Sequence, residues 1–188
     1  MGVVTVIPHS GPLTRDDLES LREATQGGSG VRYELLDGNV IVTPAPGRWH
    51  QTVVLQLGIR LREAKPDDLV VMPAPFDVDL AEDTSLQPDI LVAQRSDLTD
   101  TNLPAPPVLA VEVLSPSTRR IDLTLKWDRL AEAGCPSYWT VDPLAPSVTV
   151  WELRDAAYEM VVTAQGDEPV VVTEPFPVEF TPADLLVD

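Results

Sequence analysis

Two acids and one lysine stand in this sequence where ionised groups are costly, and together they have the chemistry to open a phosphodiester. Val108-Leu-Ala-Val-Glu-Val-Leu114 has the length and β-branched content of a strand buried on both faces, ended by Ser115-Pro116. Glu112 lies in its middle. Period-two alternation puts Glu112 on the side of Val108, Ala110 and Leu114, opposite Leu109, Val111 and Val113. Gln87-Pro-Asp-Ile-Leu-Val-Ala93 places Asp89 at the mouth of a second apolar strand, and the helix that follows Ser115-Pro-Ser-Thr118 carries Lys126. A buried carboxylate loses several kcal/mol of solvation unless a metal, Lys or Arg meets it. Bland readings compete with this one: a structural ion pair for Glu112, a strand cap for Asp89, and for Lys126 an i, i+4 pair with Asp122 worth about 0.3–0.5 kcal/mol.

Taken together, the three residues suit metal-assisted hydrolysis. Hard carboxylate oxygens hold magnesium, the metal lowers the pKa of its water, and an ammonium steadies the attacking hydroxide or the crowded phosphorane. The chain has eleven Arg and only two Lys, Lys65 and Lys126, so a lysine here carries some information. A planar, permanently charged guanidinium would not replace it well.

The elements that must position these residues follow from the rest of the chain. Its 188 residues, 44% hydrophobic, suit one domain with a sizeable core, with residues 1–12 as an N-terminal arm and 164–188 as a C-terminal extension. Thr14-Arg-Asp-Asp17 starts a helix with Leu18 and Leu21 on its apolar face, ending before a glycine-rich loop that includes Gly27 and Gly28. Residues 31–43 form a hairpin around Asp37-Gly38, and alternation alone assigns Glu34 to its solvent side. A helix over about 47–64 packs through Val54, Leu57, Gly58 and Leu61; Arg48, Arg60 and Arg62 are its solvated face, and His50 near its start can approach a site. Asp77 and Asp79 alternate with Phe76, Val78 and Leu80 as the solvent side of a strand. On a 100° wheel the helix after Thr118 buries Leu123, Trp127, Leu130 and Ala131, with Asp122 and Lys126 on the border, and ends at Gly134. Ile121 and Leu125 fall off that stripe, facing another element or a partner chain. Strands over 137–142, 147–153 and 158–163, a short strand near Val170 and a helical turn after Pro182 complete the chain.

Several function classes are disfavoured. One cysteine, Cys135, rules out an intramolecular disulfide, and with a start lacking a secretory pattern it points to the cytoplasm. No apolar run is long enough for a membrane span, and His9, His50 and Cys135 have no zinc spacing.

Tyr33-Glu-Leu-Leu-Asp-Gly38, Trp49-His-Gln51, Gln87-Pro-Asp-Ile90, Val111-Glu-Val-Leu-Ser-Pro-Ser117, Asp122 to Lys126, Ala133-Gly134 and Tyr138-Trp-Thr-Val-Asp-Pro143, in this order, make the chain resemble the Uma-two family of restriction-endonuclease-like proteins. The resemblance covers most of the chain. It implies an α/β restriction-endonuclease-like fold of the PD-(D/E)xK nuclease superfamily, a mixed β-sheet flanked by helices with extra β-hairpins. Position 114, where that motif's Lys would stand, is Leu, so the role passes to Lys126 on the helix. The resemblance also turns Glu34 into a site acid, makes Asp89 and Glu112 ligands of Mg (or Mn), and gives His50, Gln51 and Asp122 supporting places. Where family members commonly carry Tyr four residues after that Lys, this chain has Leu130.

The expected activity is therefore a metal-dependent endonuclease acting on nucleic acid, DNA first, in a homo-oligomer. Thirteen basic against thirty acidic residues, net −17, oppose polyanion binding, so a local patch drawn from Arg48, Arg60, Arg62, Arg119, Arg120 and Arg129 has to compensate. The competing expectation is a nuclease-fold module with little turnover, acting in binding or assembly.

Overall fold

The computed structural model describes residues 5–7, 9–25 and 30–187; Val3, Val4 and the loop glycines Gly27 and Gly28 lie outside the described residues. The strands form two six-stranded sheets and a two-stranded ribbon. The first sheet runs β1 (Thr5–Val6), β3 (Asn39–Thr43), β2 (Arg32–Leu36), β6 (Thr84–Leu86), β5 (Asp77–Ala81), β8 (Asn102–Leu103). The second runs β12 (Ala157–Gln165), β11 (Ser147–Arg154), β10 (Ser137–Asp142), β9 (Leu109–Val113), β7 (Ile90–Gln94), β4 (Leu69–Pro73). Only β9 and β10 are parallel within it, so the sheet is mixed. The ribbon is β13 (Val170–Val172) with β14 (Val178–Phe180).

Local chemistry accounts for the elements that frame the site. Helix α1 (Arg15–Ala24) begins with a reciprocal cap: the Asp17 amide donates to Thr14 Oγ1 and the Thr14 amide to Asp17 Oδ2 at 2.8 Å. Between β2 and β3 the chain turns through Asp37 and Gly38 with φ of 50° and 70°, and a Cβ on Gly38 would lie 2.6 Å from that of Pro12. Helix α2 (Arg48–Ala64) buries Val53, Leu57 and Leu61 at i, i+4, i+8; Leu57 and Leu61 stand in the expected stripe, while Val53 takes the buried place expected of Val54, which with Gly58 lies at the margin.

The second sheet is apolar on both faces, as its strands require. One face, with Leu109, Val111, Val113, Trp139 and Val141, packs on α2 and on Phe176, Phe180 and Leu185 from the chain's last part. The other, with Ala110 and Tyr138, meets Leu36 and Ile41 of the first sheet and Leu130. The far face of the first sheet is covered in turn by α1, through Leu18 against Leu35 and Val40. That cover overturns the solvent-side reading of Glu34, which is 1% exposed: β2 has no solvent side at this point, and Arg32, Glu34 and Leu36 point between the sheets. Asp77 and Asp79 are only partly exposed and are paired, with Arg22 at 2.7 Å and Arg15 at 2.6 Å.

The helix after Thr118 differs most from expectation. It is α3 (Arg119–Ile121), a π-helical turn (Asp122–Lys126) and α4 (Trp127–Glu132) in succession. The wider turn changes the phase that a 100° wheel assumes, so Asp122, Lys126 and Leu130 share the buried line, and Leu123 and Trp127 are only partly covered. The Tyr138 hydroxyl anchors the turn by donating to the Asp122 carbonyl at 2.8 Å.

Candidate active site

Sheet register brings the two strand acids together. β7 runs antiparallel to β9 with Ile90 opposite Val111, and one step further puts Asp89 opposite Glu112. β2 contributes Glu34 and Arg32, two residues apart and hence on one face; the π-helical turn contributes Asp122 and Lys126; and the first turn of α2 contributes His50. All seven line one cavity of about 190 Å³, room for about six waters. Its rim is Thr43, the Pro44-Ala45-Pro46 segment and the hydroxyls of Ser115, Ser117 and Thr118.

Lys126, 3% exposed, is the hub. Its Nζ lies 2.9 Å from Glu34 Oε1, 3.0 Å from Glu112 Oε1 and 3.7 Å from Asp122 Oδ1, so the i, i+4 pair with Asp122 exists but is its longest contact. Asp89 is held separately: Arg32 donates to Oδ1 at 2.7 Å, His50 Nε2 is 3.0 Å from Oδ2, and the Val113 amide donates to Oδ2 at 2.8 Å. Arg32 also donates to the Gln87 carbonyl at 2.7 Å, and the Gln87 amide donates to Glu34 at 2.8 Å, which ties the two halves together.

Charge states follow from burial and from this wiring. Burial alone would raise Asp89; the His50 hydrogen bond and the Arg32, His50 and Lys126 charges outweigh it and hold the carboxyl well below its usual range. Glu112 moves the other way: burial, reinforced by the Asp122, Asp89 and Glu34 carboxylates, lifts it well above its usual value despite Lys126. Asp122 is pushed up to about 6, chiefly by burial, against the pull of Lys126 and Thr118. For Lys126 burial opposes the charge, and Glu112, Glu34 and Asp122 more than restore it, so the amine is held above its usual range as an ammonium.

Four carboxyl groups therefore face two fixed cations, Arg32 and Lys126; with all four ionised the site would carry an excess of two negative charges, and the raised Glu112 and Asp122 hold that excess down by keeping protons. A divalent cation would correct that balance, and carboxylate oxygens are the donors it favours, so the residues fit one in type and charge. As arranged, their oxygens are turned onto Lys126, Arg32 and His50, and among the described residues no three His, Cys, Asp or Glu groups stand close enough to share an ion. Thr43 Oγ1 and His50 Nδ1, both in the cavity wall, are buried polar atoms without a hydrogen-bond partner among the described residues.

The structure thus brings Glu34, Asp89, Glu112, Lys126, His50 and Asp122 together, and places Gln51 elsewhere, exposed on α2 and outside this cavity. Arg32 escaped the sequence reading, although its spacing from Glu34 puts it on the same face. Of the expected basic patch, Arg119 pairs with Asp142, and Arg129 with Asp37, Asp83 and Glu132.

Residues 16–187 match the sequence model of Uma2, described as "Putative restriction endonuclease". The chain belongs to the Uma2 (Uma-two) family. The Uma2 fold here is also that of a solved structure, "a putative nuclease belonging to DUF820 from Anabaena variabilis", with a TM-score of 0.71 and 20% identity over 93% of this chain and 98% of the other. No curated protein matches the chain. Among the described residues no helix is long and apolar enough to cross a membrane.

Proposed function

We propose that this Uma2 protein is a metal-dependent endonuclease that hydrolyses phosphodiester bonds of DNA. The observation that carries the reading is one buried ammonium shared by acids from separate elements at the wall of a cavity, with more carboxyl groups than cations around it. Asp89 and Glu112 would hold Mg²⁺ or Mn²⁺, which when bound lowers the pKa of water and offsets phosphate charge. Lys126 remains protonated, so it acts as a fixed cation that orients the attacking water and stabilises charge gathering on the phosphoryl oxygens. Glu34 sets the position of that ammonium from the opposite sheet. Asp122, with a carboxyl that titrates near neutrality, can take a proton from the water beside Lys126. Arg32 and His50 fix the rotamer of Asp89, and the Ser115, Ser117 and Thr118 hydroxyls, which hydrogen-bond to one another at the cavity rim, would turn to donate to a phosphate.

The test is cleavage of supercoiled plasmid and of single-stranded DNA with Mg²⁺, Mn²⁺ or EDTA, comparing the parent with Asp89→Ala and Lys126→Ala. Loss in EDTA and in both variants supports this site as the nuclease. Equal cleavage by all three refutes it.

A second reading has its own support. Because the acids are already satisfied by Lys126, Arg32 and His50, the same cluster could serve as a structural network in a binding module, assembling through a surface that includes Leu125, 49% exposed. An inactive parent that binds no divalent ion would favour it.

A further inference from the structure

A second cavity adjoins the acid cavity and a third adjoins the second, so that they form one path. The second, about 340 Å³, shares Arg32 and the Pro44-Ala45-Pro46 wall with the acid cavity and adds Arg22, Tyr33, Gln51 and Gln87. The third, about 430 Å³, shares Gln51 and Ala74 with the second and lies between α2 and β4, the edge strand of the second sheet. Its wall is apolar, with Leu55 and Ile59 61% and 42% exposed, and Arg62 stands beside them.

The lining has a consistent chemistry. In a chain with thirty acidic and thirteen basic residues, these two cavities are lined by three arginines, Arg22, Arg32 and Arg62, and by no carboxylate. Arg62 has no acid partner within ion-pair distance among the described residues, unlike Arg22 and Arg32. A surface cleared of acids, with a cation at its far end and aliphatic side chains between, suits a ligand carrying spaced anions and flat apolar faces. From His50 to Arg62 the helix rises about 18 Å, roughly five stacked nucleotide steps.

We propose that this groove seats a single nucleic-acid strand that runs from the acid cluster along α2. Tyr33 and Gln51 flank the nucleotide next to the scissile phosphate, Leu55 and Ile59 support the bases beyond it, and Arg62 meets a phosphate at the far end. The proposal deepens the nuclease reading and rests on it for the position of the scissile phosphate. It also gives Gln51 a place that the acid cavity does not. Only an unpaired strand offers base faces to an aliphatic floor; in a duplex those faces are stacked inside and the outer phosphates would meet a molecule of net charge −17.

Binding is measured apart from cleavage, in EDTA, as the fluorescence anisotropy of a short fluorescein-labelled oligothymidylate and of a duplex of equal length across a salt series. The oligothymidylate is expected to bind more tightly than the duplex. Arg62→Ala should lower the salt slope by about 0.7, and Leu55→Asp with Ile59→Asp should weaken binding by about tenfold or more. Arg154→Ala, on the distant β11, should match the parent. Duplex binding as tight as single-strand binding, no binding, or Arg62 and Leu55/Ile59 variants that bind like the parent would overturn the groove. So would a dimer in light scattering that the Leu55→Asp/Ile59→Asp variant dissociates, since a second copy would then occupy it. Binding through the groove without metal-dependent cleavage would instead refute the nuclease reading alone, and cleavage untouched by the groove variants would refute the groove alone.

Discussion

Asp122→Asn should make the metal-free protein more stable, and increasingly so as pH rises. The Asp122 carboxyl moves from an ordinary 3.8 to about 6 in the folded chain, because burial penalises its charge more than Lys126 and Thr118 favour it. For a group with a raised folded pKa, stability is fully present below the unfolded value and is lost as pH rises through the folded one. At about 1.36 kcal/mol per pH unit, the loss is about 1.6 kcal/mol by pH 5 and about 3 kcal/mol above pH 6. Asn imitates the protonated acid and ionises in neither state, so the variant escapes this loss. Urea unfolding in EDTA at pH 5, 6 and 7.5 should therefore show an advantage that grows by about 1.4 kcal/mol across the series. At pH 7.5 it corresponds to a Tm higher by about 6–12 °C for a chain of this size. Relief of Glu112, whose own carboxyl is raised partly by Asp122, acts in the same direction. A variant less stable than its parent at pH 7.5, or an advantage that stays flat with pH, would refute the charge balance assigned to the cluster.

Lys126→Ala removes the cation shared by Glu34 and Glu112 and should destabilise by about 3–5 kcal/mol at pH 7.5, less at pH 5 where the raised Glu112 and Asp122 carry less charge, as read by the same unfolding curves. Mg²⁺ at a hundred times its dissociation constant should stabilise the parent by about 2.7 kcal/mol in thermal unfolding, and EDTA should reverse it; Asp89→Ala should show no shift. Cys135, fully buried with its thiol pushed up to about 11 mainly by burial, should resist Ellman's reagent at pH 8 in the folded protein and react at once in urea.

What the sequence disclosed depended on whether a residue's surroundings were local. The Thr14 cap, the Asp37-Gly38 turn and the face of Glu112 depend on neighbours a few positions away, and each stands as its pattern predicts. Glu34 reads as a surface residue because alternation reports two faces without saying what covers them, and only the packing of α1 on one side and the second sheet on the other buries both. Asp122 and Lys126 read as border residues because a wheel assumes 3.6 residues per turn, and the π-helical turn breaks that assumption where it matters. Family resemblance pointed to Glu34 and Asp122 where periodicity could not, whereas His50 was already offered by its place at the start of a helix. Arg32 was in reach of the spacing rule that pairs it with Glu34.

The pairing of Asp89 with Glu112 across β7 and β9 also guards the register of the sheet. Slipping β9 by one residue would turn Glu112 into the aliphatic layer of Val53, Leu57 and Trp139, far from Lys126, and present a valine to the ammonium instead. Every such slip buries the Glu112 carboxyl in hydrocarbon and takes one partner from Lys126, which keeps Glu34 and Asp122, a cost of several kcal/mol that a wholly aliphatic β9 would not impose. The cluster that weakens the native state at neutral pH thus penalises its nearest competitor more, and fidelity of strand alignment is bound to the same side chains as the chemistry. Glu112→Leu should relax that selection, visible as a second set of β9 amide resonances in a sheet that still folds.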